Sequence, residues 1–427
     1  MNYNQNSKIS QLSLNSLIIG IDIGSNYHFA RAFNWRGIEL DKVLKFENTL
    51  TGFQKLLSWL NSIKLKYNLN NTLIGIEPTG HYWFTLANFL NNENIKIVLV
   101  QPSHVKRSKE FDDNLQTKND LKDPKVIAKL VIDGRYSLPY IPNGIYAEIR
   151  ELDNLKDRIT VDIGTTKNRI QCWIKKYFPE YNLVYSSLEA VSGLIVLKSF
   201  ALPKIIVEKG VDKVLNLWKN NKIRAVGIKK ATQLVNYAKI SIGLTNCNKA
   251  AEIEIRLLIE ELEDKQKKLK DIIEELEKLV KNIPIAEELI QIKGIGINTV
   301  ISFLAEVGDI ARFSSPKKLQ KYAGLALVEN SSGKRNGKSK ISKRGRKKLR
   351  TLLFKVAIPL VGKNEEFASI YNYYLKRNNN PLKKKQALIV ICCKLIRIFY
   401  VILTQNIKYD KNKLLSDIQR KDTLFVA

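Results

Sequence analysis

The pattern of apolar residues between Leu17 and Gln101 restricts the fold of this chain more than any other feature. Three strand-like runs joined by short turns come first: Leu17–Ile23, His28–Phe33 and Ile38–Phe46. Helical and extended periodicities then alternate, in the runs Gly52–Tyr67, Thr72–Ile76, Tyr82–Leu90 and Ile95–Val100. Three strands followed by helix, strand, helix and strand predict an α/β domain with a mixed sheet.

This element order is that of ribonuclease H-like domains, in which strands one and four lie side by side. Asp22 lies among apolar residues on the first strand, and Glu77 closes the fourth, so we expect these carboxylates to meet. Asp120 and Asp123 follow the fifth strand, three residues apart. Converging acids repel one another, and Mg²⁺ prefers oxygen ligands. The pattern therefore predicts a site for Mg²⁺, with two ions able to clamp a phosphodiester.

Two of these acids also fit simpler roles. The turn Ile21–Ser25 around Asp22 is compatible with the phosphate turn of an actin-like ATPase or a sugar kinase. Asp123 precedes Pro124 and could be a helix N-cap with proline at the first helical position. Proline also disfavours helical geometry in the residue before it, which weakens the argument that Asp120 and Asp123 share a face.

The rest of the chain is predicted to be helical. Apolar residues recur at helical spacing over Ile149–Tyr177, and Ala250–Lys281 has approximate heptads. For the second helix we favour coiled-coil dimerisation over an intramolecular helical hairpin. Ala387–Leu403 is apolar but contains Lys394 and Arg397, which predicts a buried or partner-facing helix and no membrane span.

A third region starts near Pro284 and contains the turn Lys293–Gly296 between two helical runs. Its glycines, Gly294 and Gly296, suggest a helix-hairpin-helix, whose backbone N–H groups bind phosphate. A glycine-capped turn between packed helices is the alternative.

A basic run without acidic residues follows this turn. Its members are Lys334, Arg335, Lys338, Lys340, Lys343, Arg344, Arg346, Lys347, Lys348 and Arg350. The whole chain has 71 Lys and Arg against 41 Asp and Glu, a net charge of +30. Such an excess predicts a nucleic-acid partner, and we expect this run to bind the phosphate backbone. A basic surface without a partner is the alternative.

The order Asp22, Glu77, Asp120, Asp123 resembles the DEDD catalytic set of the insertion sequence 110 family of transposases, which are related to Piv-type DNA invertases. Later motifs also resemble that family: Ile292–Gly296, Phe313, Tyr322–Leu325, Ser331–Lys334, Ile341–Gly345, Leu349-Arg350 and Lys384–Leu395. The chain departs from the family pattern at Pro124, where a small residue is usual, and near Leu327, where proline is common.

The resemblance implies a Holliday-junction-resolvase-like nuclease domain holding Mg²⁺, or Mn²⁺ as a substitute, and a serine that attacks DNA to form a phosphoserine link. Ser332 matches the nucleophile position best and Ser331 is the alternative, although chemistry alone would favour a turn role for either. No histidine is near either serine in sequence, so a metal-bound hydroxide or a carboxylate is the expected activator. The resemblance also implies donor and target DNA as partners, a noncoding bridge RNA as guide, and a homodimer that pairs into a dimer of dimers.

We therefore predict a DNA transposase or recombinase with three regions: a ribonuclease H-like nuclease domain (1–145), a helical, coiled-coil region (146–283) and a helical C-terminal transposase domain with the serine (284–427). The alternatives are a non-catalytic nucleic-acid-binding protein and an actin-like ATPase. The four cysteines form no CxxC pair, which indicates a reducing cytoplasm. We expect a prokaryotic, nucleoid-associated protein.

Overall fold

The computed structural model describes residues 5–113, 122–224, 226–246, 248–283, 285–328, 331–332, 335–336 and 339–419. The chain forms two compact units, unit 1 (Met1–Ile141) and unit 2 (Pro142–Ala427). The elements of unit 1, in chain order, are α1 (Gln5–Ile9), β1 (Ser16–Ile23), β2 (Tyr27–Asn34), β3 (Leu44–Glu47), α2 (Leu50–Tyr67), β4 (Asn71–Ile76), α3 (Trp83–Asn92), β5 (Lys96–Leu99), α4 (Pro102–Asp113) and α5 (Asp123–Ile132).

The sheet of unit 1 has the order β3-β2-β1-β4-β5. β1 runs antiparallel to β2 and parallel to β4, which confirms the predicted mixed sheet. β3 begins at Leu44, later than predicted. Before it, Glu39 makes an isolated bridge to Phe33, and the chain bends at Asp41, whose carboxylate accepts hydrogen bonds from the backbone N–H of Lys42 and from Trp59 Nε1. Helices α2 and α3 cover one face of the sheet, and α5 covers the other.

His28 of β2 is a buried polar residue that packs against two phenylalanine rings. Its ring lies 5.2 Å from the ring of Phe46 and 6.3 Å from that of Phe53, measured between centroids. Burial lowers the pKa of His28 from 6.5, and an interaction with the Asn48 side chain opposes this shift. The folded chain therefore holds this imidazole neutral at a pH where the unfolded chain binds a proton.

We expect unit 1 to lose stability as the pH falls through about 6.5, because protons then bind the unfolded chain preferentially. In His28→Phe, the melting temperature measured by scanning calorimetry should fall less between pH 7.5 and pH 5 than in the wild type. His81→Phe changes an exposed histidine and is the control. Equal falls in all three proteins would show that His28 does not contribute.

Unit 2 is helical apart from short hairpin strands. Its helices are α6 (Gly144–Tyr177), α7 (Tyr181–Val184), α8 (Val191–Phe200), α9 (Pro203–Asn220), α10 (Ile228–Lys239), α11 (Asn248–Lys281), α12 (Ala286–Ile290), α13 (Ile297–Val307), α14 (Pro316–Tyr322), α15 (Lys347–Lys363), α16 (Glu365–Lys376), α17 (Lys384–Gln405) and α18 (Lys411–Gln419), with a 3₁₀ turn at Ile310–Arg312. The strands are β6 (Leu327–Val328), β7 (Ser331–Ser332), β8 (Arg335–Asn336) and β9 (Lys340–Ile341).

Helices α6 and α11, each 34 residues long, pack side by side in the same chain. Trp173 Nε1 donates to the carbonyl of Ala251, and Thr166 Oγ1 to Glu261, so the two helices run antiparallel. The heptad face of α11 is buried within the chain. The apolar face of α11 that we expected to form a coiled-coil dimer therefore packs on α6 of the same chain, which offers an apolar stripe of equal length.

Unit 2 contains two apolar cores, one towards each end of this helix pair. Ile149 of α6 and Leu276 of α11 share a core with α12, α13 and α15 to α17. The segment that we predicted as a separate third region thus packs around the ends of both long helices. Helix α17 is long and apolar enough to cross a membrane by composition, but it supplies Ile391, Leu395 and Phe399 to this core.

Candidate active site and nucleic-acid interface

Asp22 and Glu77 lie next to each other at one edge of the sheet of unit 1. Ile21 of β1 pairs in parallel register with Ile76 of β4, and each acid is the next residue along the chain. Burial raises the pKa of Glu77, the charge of Asp22 raises it further, Lys109 lowers it and Asp123 raises it. This edge therefore concentrates negative charge where water is partly excluded.

Two paired glycines allow α5 to approach the same edge. Gly20 of β1 is opposite Gly75 of β4, and both lie under α5. A Cβ atom at Gly20 would be 1.9 Å from the carbonyl oxygen of Pro124, and one at Gly75 would be 2.4 Å from a methyl of Val131. The glycines thus form a shallow groove along α5, which places its first residue, Asp123, near the other two acids.

Asp123 is the first residue of α5 and is only 6% exposed. The N-cap is Lys122, so the N-cap role that we considered for Asp123 is not the one in the structure. Lys109 Nζ lies 2.5 Å from both carboxylate oxygens and donates a hydrogen bond to Oδ2. Oδ1 is buried and accepts no hydrogen bond from the described part of the chain.

The fourth predicted acid, Asp120, lies outside the described residues. Among the residues that are described, no three His, Cys, Asp or Glu side chains are close enough together to hold a metal ion. The donor chemistry nevertheless suits a hard cation, since Asp22, Glu77 and Asp123 offer only carboxylate oxygens.

In unit 2 the turn between α12 and α13 contains the two predicted glycines. Gly294 has φ +99°, and a Cβ there would lie 3.0 Å from Leu360, so this position requires glycine. Gly296 is the N-cap of α13, and a Cβ there would meet no atom within 4 Å in the described structure. The positive φ of Gly294 explains the geometry of the turn. The absence of a side chain at Gly296 leaves open space beside the N-terminus of α13.

The predicted nucleophile lies on a β-hairpin between α14 and α15. β6 pairs with β9, and β7 pairs with β8, where Ser332 is opposite Arg335. The backbone of Ser331, Ser332 and Arg335 is described, whereas Lys334 and Lys338 fall outside the described residues. At the base of the hairpin, Arg350 Nη1 donates to the carbonyl of Ala323 at 3.0 Å. Among the described residues, Ser332 and Arg335 are the paired residues that lie nearest each other in sequence.

The basic run divides into two groups. Arg346 Nε donates to Glu306 at 3.0 Å, and Lys348 Nζ lies 2.8 Å from both Asp153 and Asp157. Arg350 donates to the carbonyl of Ala323. These cations have partners within the protein, which spacing could not reveal. The other cations of the run whose side chains the structure describes are exposed: Lys340, Lys343, Arg344 and Lys347.

Asp153 anchors an ionic network that we did not predict. It is fully buried and accepts hydrogen bonds from Lys156 at 2.5 Å, Ser302 at 2.8 Å and Lys348 at 2.8 Å. Burial alone would raise the pKa of Asp153, but the bonds from Lys156 and Lys348 outweigh it and the pKa is lowered. The sequence carries a signal for this network, because Asp153 and Lys156 lie on the buried face of α6, four and seven residues after Ile149.

Comparisons with known proteins match both units. A family model for DEDD transposases of the IS110 type matches residues 19–179. A second, described as the IS116/IS110/IS902 transposase family, matches residues 286–372. Together the matches cover more than half of the chain, including the sheet that carries Asp22 and the hairpin that carries Ser332.

Individual relatives agree with these matches. The uncharacterized 44.8 kDa protein of insertion element IS116 from Streptomyces clavuligerus is 23% identical over 79% of this chain and 82% of its own. The pilin gene-inverting protein of Moraxella bovis is 24% identical over 92% and 97%. The transposase of IS1111A from Coxiella burnetii is 34% identical over 27% and 31%. The chain therefore belongs to the IS110/IS116/IS902 family of DEDD transposases.

Proposed function

We propose that this transposase is an RNA-guided recombinase that cuts and rejoins DNA through a phosphoserine intermediate. Unit 1 is then a ribonuclease H-like nuclease domain, as its strand order suggests. The observation that carries the proposal is that the β1–β4 register and the glycine groove bring Asp22, Glu77 and Asp123 to the same end of the sheet, where the charges of Asp22 and Asp123 both act on Glu77. Acids held together against their mutual repulsion are typical of a catalytic site.

Mg²⁺ would be held by the carboxylates of Asp22, Glu77, Asp120 and Asp123, and two ions would fit this number of ligands. Bound there, the metal would stabilise the negative charge that develops on a phosphodiester during transfer, and Mn²⁺ could replace it. Lys109 already supplies one positive charge to Asp123. The chain's own residues therefore bind the cations, orient them and offset part of the repulsion between the acids.

The serine step transfers one phosphodiester bond. The Ser332 hydroxyl attacks phosphorus, a Ser–O–P bond forms, the bond to the deoxyribose oxygen breaks, and that oxygen takes a proton. The reverse reaction with the partner strand rejoins DNA without an external energy source. The hydroxyl needs a base that takes its proton, and we propose a carboxylate for this role.

A noncoding bridge RNA would supply sequence specificity, since base pairing can read target and donor DNA while the protein binds backbones. The protein would act as a dimer, and as a dimer of dimers when both DNA partners are bound. Because the heptad face of α11 is buried in its own chain, the dimer contact has to use another surface.

Trapping the covalent intermediate tests the proposal. The protein, its bridge RNA and both DNA partners are incubated, denatured and digested, and the peptide joined to DNA is sequenced. We expect the link on Ser332, with no adduct in Ser332→Ala and an adduct retained in Ser331→Ala. A link on Ser331 would move the nucleophile by one residue. Hydrolytic nicks without any adduct would leave only a metal-dependent nuclease.

The division of the basic run predicts which cations bind DNA. Replacing Lys343, Arg344 and Lys347 together by Ala should lower affinity similarly for all DNA sequences. The slope of log affinity against log salt should fall by about 0.7–0.9 for each phosphate that no longer binds a cation of the protein. Fluorescence anisotropy over a salt series measures this slope.

The matched control replaces Lys268, Lys270 and Lys278, which are exposed on α11 and paired with acids of the same helix. This triple variant should leave the salt slope unchanged. If both triple variants shift the slope equally, Lys343, Arg344 and Lys347 are only part of a general basic surface.

A further inference from the structure

A row of side chains extends from the acidic site across one face of the sheet in unit 1. Phe29 of β2 is opposite Asp22 of β1, and Lys45 of β3 is opposite Phe29. Directly opposed residues in antiparallel strands point to the same face, and Glu77 continues the row on the other side of Asp22. The acids are therefore continuous with an aromatic ring and an ammonium group on the neighbouring strands.

The far end of this row has an exposed aromatic ring held under a cation. Tyr27 is 43% exposed, and Lys45 Nζ lies 4.1 Å from the centre of its ring and 5.9 Å from that of Phe29. Lys55 of α2 donates to the carbonyl of Lys45 at 3.1 Å, which adds a second positive charge. A cleft of about 470 Å³ opens between Tyr27, Lys45, Glu47 and the start of α2, so that two ammonium groups and one carboxylate line it.

We propose that Tyr27, Phe29 and Lys45 form a subsite that holds the DNA strand beside the phosphate under attack, with a base stacked on Tyr27 and a neighbouring phosphate paired with Lys45. The inference rests on the proposed function, because it takes the acids as the place where the phosphodiester reacts. Neighbouring strands are about 4.8 Å apart, so Lys45, two strands from Asp22, is about 10 Å from it across the sheet. That separation suits an adjacent nucleotide of the same strand.

The chemistry of the subsite favours a nucleic-acid strand over other ligands. Bases stack on aromatic rings whatever their sequence, and lysines follow the backbone, which is how proteins bind single strands without sequence preference. This agrees with a protein that leaves sequence reading to an RNA. The exposure of the Tyr27 ring makes it accessible to such a base.

The same unit contains a matched control pair. Lys66 Nζ lies 5.2 Å from the centre of the ring of Tyr67, which is 39% exposed. This pair ends α2, next to the starts of β1 and β4, where Ser16 pairs with Asn71. It therefore has the same chemistry at the edge of the sheet opposite the acids.

Photocrosslinking tests the inference in the full chain. Single-stranded DNA containing 5-iododeoxyuridine is bound to the Asp22→Asn protein in Ca²⁺ and irradiated, and the crosslinked peptide is mapped. We expect the crosslink on Tyr27 and none on Tyr67. A stronger crosslink from the matching 5-iodouridine RNA would assign the cleft to RNA and overturn the proposal, as would crosslinks of equal yield on both tyrosines.

Recombination kinetics provide the second measurement. Tyr27→Ala and Lys45→Ala should each raise KM for DNA about tenfold, the size expected when one stacking or phosphate interaction is removed. Tyr27→Phe and Lys45→Arg should restore KM, and Tyr67→Ala should leave it unchanged. Unchanged KM in Tyr27→Ala would refute the subsite even if recombination is confirmed. If Tyr27 crosslinks in a protein that forms no phosphoserine, the subsite is supported and the proposed recombinase mechanism is refuted.

Discussion

Asp22→Asn, Glu77→Gln, Asp120→Asn and Asp123→Asn are each expected to lower DNA cleavage and strand exchange by about 10²–10³-fold, the range seen when a preorganised group that stabilises transition-state charge is removed. The reason is that each change removes one carboxylate from the set that binds the cations. The activity should require Mg²⁺ or Mn²⁺ and disappear in EDTA. Gel assays on supercoiled DNA with its bridge RNA measure both effects.

Folding should survive these changes, because each removes a charge from a repelling group. The melting temperature in EDTA should stay equal or rise, most clearly in Glu77→Gln, whose pKa is raised by burial and by Asp22. Asp133→Asn is the matched control, since this carboxylate of unit 1 is 59% exposed. Full activity in EDTA, or in any two of the four variants, would rule out a metal site built on these acids.

The largest expected loss of stability follows from Asp153→Ala in unit 2. This change leaves the ammonium groups of Lys156 and Lys348 without their buried partner, and breaking a buried ion pair costs about 3–5 kcal/mol. For a unit of this size the melting temperature should fall by about 10 °C. Because the folded-state pKa of Asp153 is lowered, its contribution is present at neutral pH and decreases as the pH falls towards and below 3.8.

An exposed ion pair gives the comparison for this experiment. In the Lys278–Glu275 pair the side chains are 72% and 53% exposed, and Glu275→Ala should change stability by less than about 1 kcal/mol. Urea unfolding of both variants at pH 7 separates the two cases. Equal midpoints would mean that the network around Asp153 contributes no more than a surface pair.

Most of the fold of unit 1 follows from local periodicity. A continuous apolar run predicts β1, alternation predicts β2, helical spacing predicts α2 and α3, and the order of these elements leads to a sheet with β1 beside β4. The predicted start of β3 was wrong, because the chain bends at Asp41, whose side chain accepts the backbone N–H of Lys42. Side-chain periodicity records which face is buried, whereas a side chain that bonds to the neighbouring backbone has no period.

The contacts that shape the candidate site could not be predicted from local periodicity. Two glycines, Gly20 and Gly75, resemble ordinary strand residues until α5 is placed over them. Lys109 resembles a surface lysine until Asp123 approaches it. Both roles depend on residues far away in sequence, so no local pattern could show them.

The sequence by itself determined the alternation of strands and helices, the excess of positive charge and the acids at strand ends, because each depends on residue type and local spacing. Only the tertiary structure decided that the apolar face of α11 packs on α6, and that Arg346, Lys348 and Arg350 have partners inside the protein while Lys343, Arg344 and Lys347 stay exposed. The physical reason is that an apolar stripe or a charge specifies what kind of partner it needs, and the fold determines which partner comes within reach.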